Sequence, residues 1–309
     1  WLSTHSAPAV ITHFAGAEFA ISSSSQSLLF HRLDSNNFSQ LWLMANGQPT
    51  LLTNETRQHR GAQISPDGTQ LVLATYHDDQ CQVSLLTLLN NQQQTLFSCP
   101  SDSAFQASWL ADSSGFYYRQ RRDKTQPYSV YRYMLATRQQ QQLTAPASDN
   151  LPGELLLAAA PFNHSTELTP AIAQLRYVNQ HQTELSILQA PQWQPSTALS
   201  LPFSVNHMLW IRQDLVLLSS DNVLYQYHLP SATYQPLYQA SQTINSFAVR
   251  DNQLFIAEQQ VQANIWRYDK ASGSTEPVVQ GQGINSMPRI SEDEQQLLFL
   301  SNRSGHYQI

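Results

Sequence analysis

The chain has 309 residues, of which 12% are charged, and its formal net charge is −6. Lysine occurs only at Lys124 and Lys270, and so little clustered positive charge argues against binding to nucleic acid or to an anionic membrane surface. No run of about 18 apolar residues is present, so no membrane-spanning helix is predicted. The chain begins at Trp1 instead of Met. We interpret it as a mature or excised piece, and expect the full-length protein to be attached to a membrane through a preceding N-terminal segment.

The predicted elements are short β-strands throughout. Residues 8–12, PAVIT, are rich in β-branched residues and predict a first strand. The phrase ISPDGTQLVLAT at 64–75 returns as ISEDEQQLLFLS at 290–301, and related phrases occur at 21–32 and 109–120. Each phrase is a short strand, a tight turn rich in Asp, Ser and Gly, and a second apolar strand, which is the pattern of a β-hairpin.

A third and a fourth strand follow most of these hairpins, as at 83–85 and 95–97. The unit recurs about every 40 to 50 residues, which is the spacing of propeller blades. We therefore predict an all-β fold, a seven-bladed β-propeller of four-stranded antiparallel blades that forms a single domain over 1–309. The blades are expected to start near Phe19, Gln63, Ala107, Leu155, Met208, Phe247 and Arg289.

The last predicted blade lacks strands, because the sequence stops at Ile309 within its third strand. Residues 8–12 have no blade of their own and resemble the fourth strands that end in Leu52-Thr53 and Leu143-Thr144. A propeller is closed when one terminus supplies a strand to the blade built by the other. We predict that residues 8–12 are this closure strand.

The two cysteines are predicted to lie across one hairpin of the second blade. If the hairpin turns at Asn90-Asn91, Cys81 lies opposite Cys99 or one residue out of register. Opposed Cβ atoms of neighbouring strands are close enough to be bridged after modest adjustment. Cys81 and Cys99 are therefore a candidate disulfide in an oxidising compartment, and two unrelated buried thiols are the alternative.

The turn Ser65-Pro66-Asp67-Gly68 before a β-rich strand resembles the repeat phrase of TolB-like propellers, and SNRSGHYQI at 301–309 resembles its continuation. Such propellers occur in TolB-type envelope assembly proteins, in prolyl-oligopeptidase-like peptidases, and in the periplasmic sensor domains of CadC/ToxR-like membrane-bound winged-helix transcriptional regulators. The resemblance to the last kind implies a periplasmic, non-catalytic sensor or protein-interaction domain. A TolB-type assembly protein and the propeller of a peptidase without its catalytic domain are the alternatives.

Motifs for catalysis or cofactor binding are absent from the sequence: it has no nucleophile elbow, zinc-protease motif or nucleotide-binding loop. We expect no enzymatic activity, no cofactor and no metal. A protein partner or a small-molecule signal is expected at a propeller face or channel mouth, although the sequence does not predict which residues bind it.

Three groups of residues and one single histidine have both a structural and a functional interpretation. The potential ligands His77, Asp78 and Asp79, and the basic cluster Arg119, Arg121, Arg122 and Lys124, are both interpreted as solvated hairpin tips. His207 enters a first strand and is a candidate to face the central channel. Four tryptophans at matching strand positions indicate packing between blades: Trp42, Trp109, Trp210 and Trp266.

Overall fold

The computed structural model describes residues 9–12, 18–147, 153–161, 170–179, 182–195, 198–250, 253–259, 263–281, 284–301 and 308–309. Within these residues every regular element is a β-strand, as the sequence predicts. The chain divides into two compact units, residues 1–258 and 259–309. The expectation of one domain over 1–309 stays a prediction.

Five antiparallel sheets follow one another through the first unit, and within each sheet the strands pair in chain order. The first sheet contains β1 (Glu18–Ser23), β2 (Ser27–Leu33), β3 (Ser39–Ala45) and β4 (Gln48–Leu51). The second contains β5 (Gln58–Ile64), β6 (Gln70–His77), β7 (Gln80–Thr87) and β8 (Gln92–Cys99). The third contains β9 (Gln106–Trp109), β10 (Gly115–Gln120), β11 (Ser129–Met134) and β12 (Gln139–Gln142).

The fourth sheet has its outer strand in two pieces, both paired with β15. It contains β13 (Glu154–Ala159), β14 (Ala171–Asn179), β15 (Gln182–Gln189), β16 (Gln194–Pro195) and β17 (Leu199–Leu201). The fifth contains β18 (His207–Arg212), β19 (Leu215–Ser220), β20 (Val223–His228) and β21 (Thr233–Gln239). Three two-stranded sheets follow: β22 (Thr243–Arg250) with β23 (Gln253–Gln259), β24 (Ile265–Tyr268) with β25 (Thr275–Val279), and β26 (Asn285–Ile290) with β27 (Leu297–Ser301).

The repeated phrase folds the same way wherever its Ser and Asp recur. In the second sheet, Ser65 Oγ donates to Asp67 Oδ1 and accepts a hydrogen bond from the backbone N–H of Gln70. In the second unit, Ser291 Oγ donates to Asp293 Oδ1 and accepts from the N–H of Gln296. The side chains thus close the turn between two strands through local hydrogen bonds. This is the physical reason for the repetition.

The core lies between sheets, where the second strand of each is covered on both faces. In β6, residues from Leu71 to Tyr76 are all buried, whereas the outer strand β12 is four exposed glutamines. Burial on both faces requires an uninterrupted apolar run instead of an alternating one. This explains why the second strands are the most apolar segments of the sequence.

The first strands β1, β5, β9, β13, β18 and β22 are neighbours in this order, and β22 in turn neighbours β1, so they form a closed ring. Serine hydroxyls join some of them across sheets. Ser22 Oγ accepts a hydrogen bond from the backbone N–H of Ile64, Ser108 Oγ from that of Ala159, and Ser246 Oγ from that of Ile21. The last of these links the sixth first strand to the first.

The predicted closure strand is wrong for the residues that the structure describes. Residues 9–12 form no strand, and Val10 and Ile11 are 74% and 49% exposed; Pro8 lies outside the described residues. The hairpin β22–β23 closes the ring instead, because Ala248 and Ala257 pack against Phe30 of the first sheet. An internal hairpin with buried apolar residues forms this contact, and the N-terminal segment is not needed for it.

The predicted number of blades is also wrong, since the residues that the structure describes form five complete blades and not seven. All seven predicted starting positions lie in strands that begin a sheet, but those at Phe247 and Arg289 begin hairpins of two strands only. The repeated phrase specifies a turn and the two strands beside it. Whether a third and a fourth strand pair with them depends on contacts that the phrase does not contain.

Candidate binding face

One end of the ring in the first unit carries most of its unusual polar groups. We define the start face as the end at which β1, β5, β9, β13 and β18 begin. Buried polar atoms without a hydrogen-bond partner concentrate here among the described residues: Nε2 of His31 and His59, Oε1 of Gln106, Nε of Arg119 and Arg121, Oε2 of Glu154 and Oγ of Ser219. Each such group costs about 1–3 kcal/mol when it stays unpaired. A cluster of them on one face is therefore typical of a surface that meets water or a ligand.

A cavity of about 320 Å³ lies between the first and second sheets on the start face. His31 and His59 line it and are 0% and 1% exposed. Nδ1 of His31 is 3.0 Å from Ser39 Oγ, and Nδ1 of His59 is 3.3 Å from Thr75 Oγ1. Burial, together with the nearby charge of His59, lowers the pKa of His31 to about 4 despite an opposing interaction with the backbone of His59. Burial also lowers the pKa of His59. Both imidazoles are thus neutral at pH 7.

The first strand of the second sheet is bulged beside this cavity. The pairing of β5 with β6 shifts between Arg60 and Gln63, and Gly61 there has a φ of 60°. A Cβ at Gly61 would lie 2.5 Å from the backbone oxygen of Phe105. Only glycine tolerates both the left-handed backbone and this close approach. Bulges of this kind change the direction in which neighbouring side chains project, here those of His59 and Arg60.

Arginines stack on two tyrosines along the start face. The Arg60 guanidinium carbon is 5.1 Å from the centre of the Tyr76 ring, while those of Arg119 and Arg121 are 4.7 and 5.0 Å from the Tyr128 ring. Tyr128 Oη accepts a hydrogen bond of 2.8 Å from the N–H of Ala104, and Tyr76 Oη donates one of 2.6 Å to the backbone oxygen of Ser103. These hydrogen bonds hold the two tyrosine rings in place. The guanidinium groups are in turn held on the rings by cation–π contacts and stay partly exposed.

The basic cluster is accordingly only partly a solvated hairpin tip. Arg122 and Lys124 are exposed, as expected, but Arg119 and Arg121 are half-buried against Tyr128. Arg119 also donates a hydrogen bond of 3.4 Å to the backbone oxygen of Glu154 in the next sheet. The two half-buried arginines therefore belong to the interior of the start face.

Glu154 begins the fourth sheet and is a buried carboxyl group, 4% exposed. Burial raises its pKa to about 7, while nearby Arg176 opposes this rise and Glu184 adds to it. Arg176 itself is paired with Glu184 at 2.5 Å between Nε and Oε2. With the arginine engaged elsewhere, the protonated form of Glu154 is favoured by desolvation. The carboxyl group can then donate a hydrogen bond near neutral pH.

Cys81 and Cys99 lie directly opposite each other in β7 and β8, with 4.9 Å between their Cα atoms, and form a disulfide. Both cysteines lie at the start-face end of the second sheet, and Cys81 is 2% exposed. The bridge joins the third and fourth strands just before the chain crosses to the third sheet. The presence of this bridge in the purified protein stays a prediction.

The other histidine candidates lie apart from the cavity. His77 Nε2 is 3.5 Å from Asp78 Oδ2 in an exposed turn. The His207 ring contacts the Phe247 ring edge-on at 4.8 Å, and burial lowers its pKa to about 4. His207 therefore packs against the neighbouring first strand β22. Within the described residues, no group of three or more His, Cys, Asp or Glu side chains is arranged to hold a metal ion.

The tryptophans only partly fit the interpretation of packing between blades. Trp109 and Trp210 are 6% and 8% exposed, and Trp109 Nε1 donates to the backbone oxygen of Gln63 in the preceding sheet. Trp42 is half-buried and stacks on Phe30. Trp266, in the second unit, is 57% exposed and does not follow the pattern.

Sequence reasoning missed His31, His59, Tyr76, Tyr128 and Glu154. The available signal was position: His31 follows the apolar run Leu28–Phe30 within one strand, and His59 and Glu154 lie close to strand starts. A histidine in an otherwise apolar strand predicts burial, and buried polar residues require a partner. Which residues share a cavity depends on how neighbouring sheets pack, which this signal does not contain.

No family model and no curated protein matches the sequence. Solved structures do match its fold. TolB from Acinetobacter baumannii superposes with a TM-score of 0.60 at 12% identity, over 75% of this chain and 57% of that one. A putative TolB from Agrobacterium tumefaciens gives a TM-score of 0.60 at 14% identity, over 81% of this chain and 92% of that one. The fold is a TolB-like β-propeller.

The same fold occurs in part of a larger enzyme. A puromycin-hydrolysing peptidase from Mycobacterium tuberculosis gives a TM-score of 0.53 at 12% identity, over 94% of this chain but 52% of that one. The chain thus spans about half of the peptidase and 57% of the Acinetobacter TolB. At these identities the similarity concerns the fold alone. Among the residues that the structure describes, no helix has the length and apolarity needed to cross a membrane.

Proposed function

We propose that this chain is a non-catalytic interaction propeller that recognises a protein partner or a small-molecule signal at the start face. The observation that carries the proposal is the concentration there of buried polar atoms without partners, flanked by arginines held on Tyr76 and Tyr128. Such groups offer hydrogen-bond donors and acceptors in fixed positions. A rigid ring with functional groups at one end is a common design of binding proteins.

In the fuller form of the proposal, the propeller is the periplasmic sensor domain of a CadC/ToxR-like membrane-bound transcriptional regulator. The sequence resemblance supports this reading, and the Cys81–Cys99 disulfide fits an oxidising compartment. A TolB-type envelope assembly protein and a peptidase propeller are the alternative settings. The sequence encoded on either side of this chain distinguishes them: a winged helix and one membrane span before it support the regulator, an α/β domain before it supports the TolB type, and a hydrolase domain after it supports the peptidase.

The start face itself is tested by photo-crosslinking in cells of the source organism. A photoreactive residue is placed at Arg60 or Arg122, both exposed on the start face, and at Asp112 or Gln213, both exposed in turns at the opposite end of the ring. We expect adducts with a partner protein from the first pair only. For a small-molecule signal, added ligand should protect Arg60 from modification by phenylglyoxal. Adducts only from Asp112 or Gln213 would contradict the assignment of the face.

A further inference from the structure

Two arginine side chains of the third sheet stack on one aromatic ring at the start face. The guanidinium carbons of Arg119 and Arg121 lie 4.7 and 5.0 Å from the centre of the Tyr128 ring, which is 7% exposed. Arg119 also lies directly opposite Gln106 of β9, so a side-chain amide neighbours the cations. Nε of both arginines and Oε1 of Gln106 are buried and have no hydrogen-bond partner. Two positive charges and an amide with unused hydrogen-bonding groups therefore meet in one place.

The positive charge of this group is only partly balanced. Arg121 donates a hydrogen bond of 2.7 Å to the backbone oxygen of Asp102, and its Nη2 lies 3.8 Å from Oδ2 of the Asp102 carboxylate. Arg119 forms no ion pair with any of the residues that the structure describes. Burial lowers the pKa of Arg119, and the neighbouring charge of Arg121 adds to this effect. A guanidinium group removed from water needs a counter-charge, and one positive charge is left without one.

The buried carboxyl group of Glu154 does not supply this counter-charge. Arg119 Nη1 donates a hydrogen bond of 3.4 Å to the backbone oxygen of Glu154 and forms no ion pair with its carboxyl group. Burial raises the pKa of Glu154 to about 7, so about half of these groups are neutral at pH 7. The buried Oε2 has no hydrogen-bond partner. In its neutral form the carboxyl group adds a hydrogen-bond donor to the site.

Backbone contacts between the third and fourth sheets fix the position of the Tyr128 ring. Tyr128 Oη accepts a hydrogen bond of 2.8 Å from the N–H of Ala104, and its backbone oxygen accepts one of 3.0 Å from the N–H of Glu154. A Cβ at Gly153, where φ is 80°, would lie 2.6 Å from the same backbone oxygen, so this approach requires glycine. The ring and the arginines stacked on it are thus held in place before a ligand arrives, which lowers the entropic cost of binding.

We propose that Arg119 and Arg121 bind one carboxylate group of a small-molecule ligand. This inference rests on the proposed function, because it names the chemical class of the signal that the start face recognises. A guanidinium group matches the two oxygens of a carboxylate with two parallel hydrogen bonds. The single unbalanced charge of Arg119 favours a singly charged carboxylate over a phosphate group, which carries close to two negative charges at pH 7. The half-buried position of Arg119 favours a small molecule over an acidic side chain of a protein partner.

The test is a titration of the isotope-labelled full chain with benzoate, followed by NMR through the Nε–H resonances of its arginines. We expect the resonances of Arg119 and Arg121 to shift along one saturating curve, because both guanidinium groups contact the same carboxylate. The resonance of exposed Arg122 should not follow this curve. Benzamide has the same ring without the charge and should bind at least about tenfold more weakly. Inorganic phosphate should also bind more weakly than benzoate, which separates carboxylate recognition from a general attraction of anions.

Variants assign the binding to individual side chains. Arg119→Lys and Arg121→Lys keep the charge but lose the planar fork, so each should weaken benzoate binding at least about tenfold. Arg122→Gln is the matched control, since it removes an exposed charge from the adjacent turn, and it should keep the wild-type affinity. The inference is overturned if benzoate shifts neither resonance in the wild type, or if a folded Arg119→Lys variant binds with unchanged affinity. The wild-type titration decides the matter if the lysine variants misfold.

Failure of this inference can be told apart from failure of the proposed function. If benzoate does not bind but a photoreactive residue at Arg122 still gives adducts with a partner protein, the carboxylate site is rejected and the start face remains the binding surface. If adducts come only from Asp112 or Gln213, the assignment of the face is rejected. Saturable benzoate binding at Arg119, measured on the isolated chain, would in that case still support the carboxylate site.

Discussion

The backbone N–H of Ile21 donates a hydrogen bond of 2.9 Å to Oγ of Ser246, a residue 225 positions later in the chain. This bond joins β22 to β1, and a second bond of 2.8 Å from Ser23 Oγ to the backbone oxygen of Val249 reinforces it. Because Ser246 is 2% exposed, water cannot replace its hydroxyl group without opening the contact. The ring of first strands is closed at this point.

Removing the Ser246 hydroxyl should weaken the closure. In Ser246→Ala the Ile21 N–H is left buried without an acceptor, which lowers the free energy of unfolding by about 1–3 kcal/mol. Urea-induced unfolding followed by tryptophan fluorescence measures this change. Ser25→Ala, in the exposed turn of the same first sheet, is the matched control and should unfold like the wild type. Equal stability of both variants would show that the bond does not hold the ring.

Glycine at position 61 should be required for space as well as for backbone conformation. Gly61 and Gly47 have φ values of 60° and 74°, but a Cβ at Gly47 meets nothing within 4 Å, whereas one at Gly61 would lie 2.5 Å from the backbone oxygen of Phe105. Gly47→Ala should therefore lose only about 1–2 kcal/mol of stability, the penalty for a left-handed alanine. Gly61→Ala should lose clearly more, because the segment before β9 must also move. A thermal melt of both variants compares them, and similar melting temperatures would refute the close approach.

The repeat and its hairpins could be predicted from the sequence because their determinants are local. Ser65 and Asp67 close their turn with each other and with residues a few positions away. The same reasoning placed Cys81 near Cys99. The ring closure is different, since Ser246 and Ile21 carry no local sign that they meet. The prediction of seven blades is wrong for the same reason, because the number of blades depends on contacts between sheets that are distant in sequence.

The candidate site could be predicted only in part. The sequence predicts a propeller face as the binding surface, but it does not predict the residues of that face. The identity of the face depends on which strand ends carry His31, His59 and Glu154, and on the packing that removes these side chains from water. The sequence predicts solvated side chains at Arg119 and Arg121, because the aromatic ring that contacts them, Tyr128, lies beyond the turn that follows them.

The disulfide links the sequence to a compartment. The loop between Cys81 and Cys99 spans a sequence separation of 18, and closing such a loop stabilises a protein by about 3 kcal/mol in the chain-entropy model. Thiol titration of the denatured, unreduced protein from its native compartment should find no free thiol. The Cys81→Ser/Cys99→Ser variant should melt at a lower temperature than the oxidised wild type and at about the temperature of the reduced wild type. Two free thiols would reject the bridge and weaken the periplasmic assignment.

Acid should destabilise the protein through His207. Burial lowers the pKa of this ring from 6.5 to about 4, so the unfolded chain binds a proton before the folded one does. The neutral His207 ring therefore contributes about 1–3 kcal/mol to the free energy of unfolding above pH 6.5, and this contribution is lost as the pH falls towards 4. In His207→Gln this part of the pH dependence should disappear from urea titrations, while exposed His77→Gln should keep it. An unchanged slope in His207→Gln would show that the ring titrates normally.

Glu154 should act in the opposite direction. Burial raises its pKa from 4.5 to about 7, so the folded protein keeps a proton that the unfolded chain has released. Its contribution to stability is complete below pH 4.5 and declines as the pH rises to about 7, by about 1–3 kcal/mol in all. In Glu154→Gln the side chain stays neutral, so the stability of this variant relative to the wild type should increase over this range. Unfolding in urea at pH 5, 6, 7 and 8 measures the difference.

The control for Glu154 is Glu292→Gln, which changes an exposed carboxylate in a turn and should shift stability equally at every pH in this range. His31→Gln, combined with Glu154→Gln, separates the two buried groups of the start face, because the lowered pKa of His31 gives a slope of the opposite sign. If Glu154→Gln and the wild type differ by a constant amount from pH 5 to pH 8, the carboxyl group is ionised throughout. Arg176 would then have to form an ion pair with Glu154 instead of with Glu184. The start face would in that case carry a fixed negative charge at neutral pH instead of a hydrogen-bond donor.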